Sequence, residues 1–406
     1  MTVYLRRLRI EQFRSIESLE WKLPKGARGP GWHVILGENG SGKSSVLRAV
    51  ALSLIGPEQS SGLQVNWNQW VRFGQSHSRV RATLGRTRAE REFDVRVVRK
   101  PFPSVVASKR GDRSWSKKGP FAASFGPFRR FSGGDARFDE LLESGVPFSA
   151  HLSLFNESVS LGSATTWLKS LRPVGSTGRR QYPSFAVGWG LVSRITDFLN
   201  QEGFLPSGVR LEEVDQDRVV FRDGRGARVE VEQLSDGFRS ILSLVFELLR
   251  RAVLHSGSQK VFDQKSKQVT VPGIVCIDEA DAHLHPTWQR VIGPWLCRMF
   301  PKVQFLVTTH SPFVCQASEG GGSVFQLMAN GESRFVEGIE LQRLRLGNVL
   351  EAYGTQAFGT LETRSESGKT LIRELAELNI KTLSGKLTPP ERSRQKTLQS
   401  LLPTGG

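Results

Sequence analysis

Gly37, Glu38, Asn39, Gly40, Ser41, Gly42, Lys43 and Ser44 follow the pattern G-x-x-x-x-G-K-[ST], with Ser45 next, and that spacing specifies a phosphate-binding loop. Its glycines let successive backbone N–H groups turn inward around phosphates. Lys43 supplies a point charge to the β and γ phosphates, and the Ser44 hydroxyl suits a Mg²⁺ ion. Asp278 and Glu279 stand side by side after the apolar run Gly273–Ile277. Two adjacent carboxylates at a strand end are costly without a cation to hold or a proton to move, so Asp278 suits the Mg²⁺ shell and Glu279 the proton of an attacking water. His310 closes a second apolar run and is expected at the same edge, donating a hydrogen bond to a γ-phosphate. His283 and His285 are read as loop packing rather than as metal ligands.

A further polar turn, Gln233-Leu-Ser-Asp-Gly-Phe-Arg-Ser240, opens a helical pattern in which Phe238, Ile241, Leu242, Val245 and Leu249 form the apolar stripe. Ser235 is placed as N-cap, and Ser235, Asp236 and the Gly237 backbone stand at the positive helix end, where an anion binds. Lys43 already serves the phosphates of its own chain. Standing alone such a serine-glycine helix start is an ordinary cap, and a second anion site would have no ligand within one molecule.

These groups need a scaffold that brings them to one edge. Residues 3–12 alternate with the period of a strand, and a short apolar run ends in the glycine loop. Val46, Leu47, Val50, Leu54 and Ile55 then recur at helical spacing up to Gly56-Pro57. Continuous apolar strands separated by helices predict a mostly parallel sheet covered on both faces. The expected fold class is α/β, a P-loop NTPase head with a β-rich or irregular insertion and a helical C-terminal tail. The boundaries are 1–71 for the first half of the head, 72–205 for the insertion, 206–330 for the second half and 331–406 for the tail. Within the insertion the arginine-rich alternation predicts antiparallel strands, and "PFAASFGPFRRFSGG" predicts exposed loops.

The 406 residues are 38% apolar and 9% aromatic, the composition of a folded chain. No apolar signal-peptide core opens the sequence and no run approaches a membrane span of about 18 residues. Cys276, Cys297 and Cys315 are widely spaced in or beside apolar runs, which predicts buried thiols and a cytoplasmic setting. The net charge is +17. Sixteen Lys and Arg against four Asp and Glu fall between Arg72 and Arg130, which predicts a nucleic-acid phosphate contact surface, with Lys117, Lys118, Arg129 and Arg130 among its members; the alternative is a solvated face that keeps the protein soluble.

Taken together, the blocks Phe13–Ile16, Gly37–Ser45, Leu234–Ser240, Cys276–Pro286 and Val307–Pro312, in that order, resemble the ATP-binding-cassette ATPases of the SMC, RecF and OLD kind. The chain looks like the stand-alone AAA-family ATPases of bacterial anti-phage defence systems, such as the ATPase subunits of Septu and PARIS. The resemblance implies ATP and Mg²⁺ as cofactors, Arg14 and Ser15 near the nucleotide, and a Mg²⁺-sensing glutamine among Gln64, Gln69 and Gln75. It also implies a homodimer, or a higher homo-oligomer, in which the Ser235–Gly237 signature of one protomer caps the ATP of another. "LSDGF" departs from the LSGGQ usual in transporters, which disfavours a transporter subunit and a membrane partner. From Ser311 to Gly406 there is neither aspartate nor histidine, so a nuclease is expected on a separately encoded effector chain. The expected function is an ATP-driven dimerising switch that senses or clamps nucleic acid and controls that effector. The alternative is an ATPase scaffold that holds an effector or toxin without binding DNA.

Overall fold

The computed structural model describes residues 3–86, 89–99, 103–107, 120–171, 183–205, 208–329, 332–353, 355–358 and 366–401. Two compact units divide the chain at Ala352 and Tyr353.

The first unit is built on a six-stranded sheet. Its strands are β3 (Gly31–Gly37), β7 (Phe121–Phe125), β11 (Gly273–Ile277), β12 (Val303–Thr309), β13 (Ser323–Leu327) and β14 (Arg334–Phe335), in the order β14-β13-β3-β12-β11-β7. All neighbours pair in parallel except β14, which is antiparallel to β13. β11, β12 and β13 are buried at every position, as parallel strands covered on both faces must be.

A second sheet is antiparallel and has the order β2-β1-β4-β5-β6, from β1 (Tyr4–Phe13), β2 (Ile16–Lys22), β4 (His77–Arg86), β5 (Ala89–Val98) and β6 (Ser104–Ala107). The P-loop helix, Lys43–Ile55, lies between the two sheets. Its Val46, Leu47 and Val50 join one core with Leu8, Val80 and Ala82 from the outer sheet and with Ile35, Ile274 and Leu306 from the central one. A helix buried on nearly all sides is apolar nearly all round, and this one is. A small meander of β8 (Arg210–Val214), β9 (Val219–Arg222) and β10 (Arg228–Glu230) precedes the helix Asp236–Ser256.

The stretch 72–205 shares its strands with both sheets. The arginine-rich β4 and β5 form the expected antiparallel pair. "PFAASFGPFRRFSGG" departs from the expectation of exposed loops, because Phe121–Phe125 is β7, a parallel edge strand registered against β11 with Phe121, Ala123 and Phe125 buried. Glycine and proline on both sides make so short a strand look like a loop.

The helix Asp236–Ser256 buries polar residues as well as its apolar stripe. Glu247 accepts from Arg250 at 2.7 Å and Arg251 at 2.6 Å, and Arg251 also donates to the Ser149 hydroxyl at 2.7 Å. The second unit holds the helices Glu366–Leu383 and Pro389–Leu401, which pack through Leu375, Leu378 and Leu398. The Arg394–Glu374 pair at 2.7 Å adds a surface contact between them. No described helix is long and apolar enough to cross a membrane.

Candidate nucleotide site

The glycine loop joins β3 to the P-loop helix at the carboxyl edge of the central sheet, where ligands of open parallel sheets bind. Gly42 caps the helix at φ 102°, and a Cβ there would stand 3.2 Å from the Ser15 hydroxyl and 3.1 Å from Ile16. Only glycine fits both the conformation and the space. Lys43 is buried, and its ammonium donates to the carbonyls of Gly37 and Glu38 at 2.9 Å. Burial lowers its pKa, partly offset by Glu279, Asp278 and Asp281.

One pocket gathers Arg14, Ser15, Asn39, Gly40, Gly42, Lys43, Ser44, Ser45, Arg48 and Glu279. Glu38 is exposed beside it. The Ser41 hydroxyl is buried without a partner in this loop. Arg48 joins this group from one turn into the P-loop helix. The Arg14 and Arg48 guanidinium groups both lie over the Trp70 ring, at 5.1 and 5.8 Å from its centroid, a cation–π arrangement. Burial first, and then the charge of Arg48, lowers the pKa of Arg14. The Arg14 backbone sits at φ 55°, a left-handed conformation costly for a residue with a Cβ. Gln64, Gln69 and Gln75 are not among the residues lining this pocket.

The acidic turn follows β11. Asp278 is buried and Glu279 half-buried, with the Glu279 backbone at φ 46°. β12 supplies the buttress. The Thr308 hydroxyl donates to Asp278 and accepts the Glu279 N–H, Thr309 donates to Asp281, and the His310 N–H reaches Asp281 at 3.4 Å. The two threonines carry the position of the carboxylates, and the sequence offered only their place before His310. His310 is half-buried, and its pKa is lowered chiefly by desolvation and next by Lys43, against the opposing pull of Asp281, Glu279 and Asp278. Burial and the Lys43 charge thus favour the neutral ring, which has one N–H to donate.

Hard oxygen donors, the Ser44 hydroxyl and the Asp278 carboxylate, stand on the two elements that meet at this edge. That donor set fits Mg²⁺. His285 instead caps the helix Pro286–Met299, accepting from the Thr287 N–H, and His283 has φ 64°. Cys276 and Cys315 are buried and Cys297 is half-buried, with burial raising all three thiols, Cys276 and Cys297 to about 12.

Ser235 occupies the backbone N-cap position of Asp236–Ser256, but its hydroxyl makes no capping bond. Ser235 and Asp236 are exposed, and Asp236 pairs with Arg239. Gly237 faces the acidic turn, since an added Cβ would stand 3.0 Å from the His283 carbonyl oxygen. None of the three lines the pocket around Lys43.

The basic stretch differs from expectation in its details. Arg129 is 5% exposed and bonded to backbone carbonyls of the acidic turn, so it offers no phosphate contact to nucleic acid. Arg72, Arg79 and Arg81 pair with Glu17, Asp94 and Glu11. Arg130 donates to the Glu157 carbonyl at 3.5 Å. Arg88, Lys100, Lys109, Arg110, Arg113, Lys117 and Lys118 lie outside the described residues.

Residues 33–316 match the family described as "AAA domain, putative AbiEii toxin, Type IV TA system". A Septu protein PtuA of Bacillus mycoides (strain KBAB4) is 26% identical over 409 aligned positions, covering 98% of this chain and 50% of that protein. The retron Ec83 probable ATPase of Escherichia coli is 39% identical over 132 residues, 32% of this chain and 22% of that protein. The chain thus spans half the length of the first relative and less of the second. Among solved structures, an SMC head bound to the C-winged helix domain of ScpA aligns with a TM-score of 0.48 at 15% identity, covering 82% of this chain and 97% of that one.

Proposed function

The chain belongs to this AAA-domain family, and from that premise we propose that it binds and hydrolyses Mg-ATP as a dimerising switch in a defence system. The observation that carries this reading is the single pocket in which Lys43, Arg14, Arg48 and Ser44 face Glu279. Three cations beside the glycine loop suit a triphosphate. A carboxylate opposite them suits the proton of an attacking water.

In this reading Lys43 leaves the carbonyls of Gly37 and Glu38 for the β and γ phosphates. Ser44 and Asp278 would hold Mg²⁺, which would neutralise phosphate charge. Glu279 takes the proton of the water, and neutral His310 donates to the γ-phosphate. The Ser235–Gly237 turn, exposed at Ser235 and Asp236 and outside the pocket around Lys43, caps the nucleotide of a second copy. The names of the Septu and retron relatives support the defence setting. A separately encoded effector is the proposed partner under control.

Nucleic acid is the proposed trigger, contacted through lysines and arginines of the stretch 72–130 other than the buried Arg129. A second reading, a scaffold that holds its effector without DNA, is favoured by the carboxylate partners of Arg72, Arg79 and Arg81.

Glu279→Gln tests the catalytic assignment. It should retain ATP while hydrolysis slows by about 10² to 10⁴, the usual contribution of a positioned base. Lys43→Ala should lose nucleotide affinity instead. Hydrolysis at the unsubstituted rate in the glutamine variant would remove Glu279 as the base.

A further inference from the structure

Arg129 lies just beyond β7 and reaches across to the turn beyond β11. Its Nη1 donates to the carbonyls of Gly126 at 3.1 Å and Asp278 at 2.8 Å, and its Nη2 to those of Glu279 at 3.0 Å and Ala282 at 3.4 Å. One planar fork thus ties the end of β7 to the backbone on both sides of the proposed base. The backbone it holds is strained, with Glu279 at φ 46°, and such a conformation persists only where the surroundings over-determine it. The Asp278 N–H to the Phe125 carbonyl, at 2.8 Å, and the Ala280 N–H to the Thr308 carbonyl, also at 2.8 Å, complete the frame.

The charge is the informative part. Burial brings the guanidinium down to about 10, against the opposing fields of Asp278, Asp281 and Glu279. Every hydrogen bond described for it goes to a carbonyl, none to a carboxylate. An apolar side chain of similar volume would fill the same space but leave the Gly126, Asp278, Glu279 and Ala282 carbonyls without this donor, so arginine here fixes the backbone of the acidic turn rather than only filling space. Arg129 also borders a small cavity with Ser240, Ile241 and Leu244 of the helix that begins at the Ser235 turn. It thus borders a cavity lined by that helix while its guanidinium holds the backbone of the acidic turn.

We propose that Arg129 is the positioning residue of the hydrolytic step: it sets the Glu279 carboxylate against the attacking water and leaves ATP binding to the P-loop. The inference rests on the ATPase reading and assigns a residue to it.

The test is made on the full chain with Arg129→Met and Arg129→Lys, measuring equilibrium binding of a fluorescent ATP analogue with Mg²⁺ beside single-turnover ATP hydrolysis. The methionine variant should bind the analogue within about threefold of the unsubstituted chain, as expected when ground-state binding is untouched. Its hydrolysis should fall about 10²-fold, the cost of a carboxylate misplaced by about an ångström. Lysine keeps the charge and restores only part of the fork, so its rate should lie between the two.

Hydrolysis within about twofold of the unsubstituted chain, or binding and hydrolysis lost in parallel by a folded variant, overturns the proposal. If the methionine variant does not fold, the lysine variant decides: slowed hydrolysis with intact binding supports the role, and an unchanged rate overturns it. Failure of the unsubstituted chain to hydrolyse ATP identifies a different fault, in the proposed function itself, and this inference falls with it.

Discussion

The Thr308 hydroxyl donates to Asp278 Oδ1 at 2.5 Å and with the same oxygen accepts the Glu279 N–H at 2.8 Å. One side chain of β12 thus holds both acidic residues at the end of β11. The parallel register makes this possible, since Ile277 pairs with Val307 and the next residues of each strand meet just beyond the ladder.

Thr308→Val keeps the shape and removes both bonds. The unfolding free energy should fall by about 1–3 kcal/mol, the cost of leaving a buried polar group without its partner. The Mg²⁺ concentration giving half-maximal ATPase activity should rise, and Thr308→Ser should restore both properties. An unchanged Mg²⁺ requirement in the valine variant would show that Thr308 does not orient Asp278 for the ion.

The exposed Ser235 hydroxyl makes no capping bond to its own helix, so Ser235→Arg should leave the fold and ATP binding at Lys43 intact while blocking engagement of a second copy. Ser235→Arg and Lys43→Ala should each be inactive alone. Mixed, they should recover up to about a quarter of the activity, because half of randomly paired twofold dimers are hybrids with one intact composite site of two. ATP-dependent dimerisation, followed by light scattering, accompanies the assay. Normal hydrolysis and dimerisation by Ser235→Arg alone would end the composite-site reading.

Duplex DNA should bind with an affinity that falls about 10³-fold between about 50 and 200 mM salt if six or more phosphates are contacted. Reversal of Lys117 and Lys118 should weaken binding to all sequences alike. Affinity indifferent to salt would favour the effector-holding scaffold, in which nucleic acid has no part.

Two buried histidines set an acid limit on stability. Burial holds His33 down to about 4 and His151 to about 3, with the Arg251 charge as a second cause for His151. His33 contacts Ser323 and the Gly29 carbonyl, and His151 contacts Ser124. Below the ordinary histidine value near 6.5, the unfolded chain takes up protons that the folded chain refuses. Their contribution is therefore complete above about pH 6.5 and is lost as pH falls, by about 1.4 kcal/mol per pH unit for each histidine. Urea midpoints between pH 6.5 and 5 should show this slope, and His151→Asn should remove about half of it. A flat profile over that interval would mean that neither imidazole is held neutral.

The elements written in contiguous residues were legible without coordinates. A loop that turns its N–H groups inward needs glycines at fixed intervals, and the helix behind it needs apolar residues on nearly every side. Gly37–Ser44 and Lys43–Ile55 carry both requirements locally. The acidic pair after Gly273–Ile277 and the histidine after Val303–Thr309 were likewise visible, because continuous apolar runs that stop at polar residues mark buried strand ends.

Tertiary structure decided the rest, for one physical reason: a polar side chain is buried only where a partner arrives to satisfy it, and here the partners come from far along the chain. Arg129 finds the Asp278 carbonyl 149 positions away, and Arg251 finds the Ser149 hydroxyl 102 positions away. In the sequence the first is one more cation in a basic stretch, and the second stands on a helix whose apolar stripe leaves room for a solvated face. Nothing in their spacing separates them from surface charge. β7 is the same case for the backbone, because five residues between glycines and prolines become a strand only through parallel pairing with β11. Trp70 carries both Arg14 and Arg48, a grouping that no local pattern encodes, since it forms only when the outer sheet and the P-loop helix pack together.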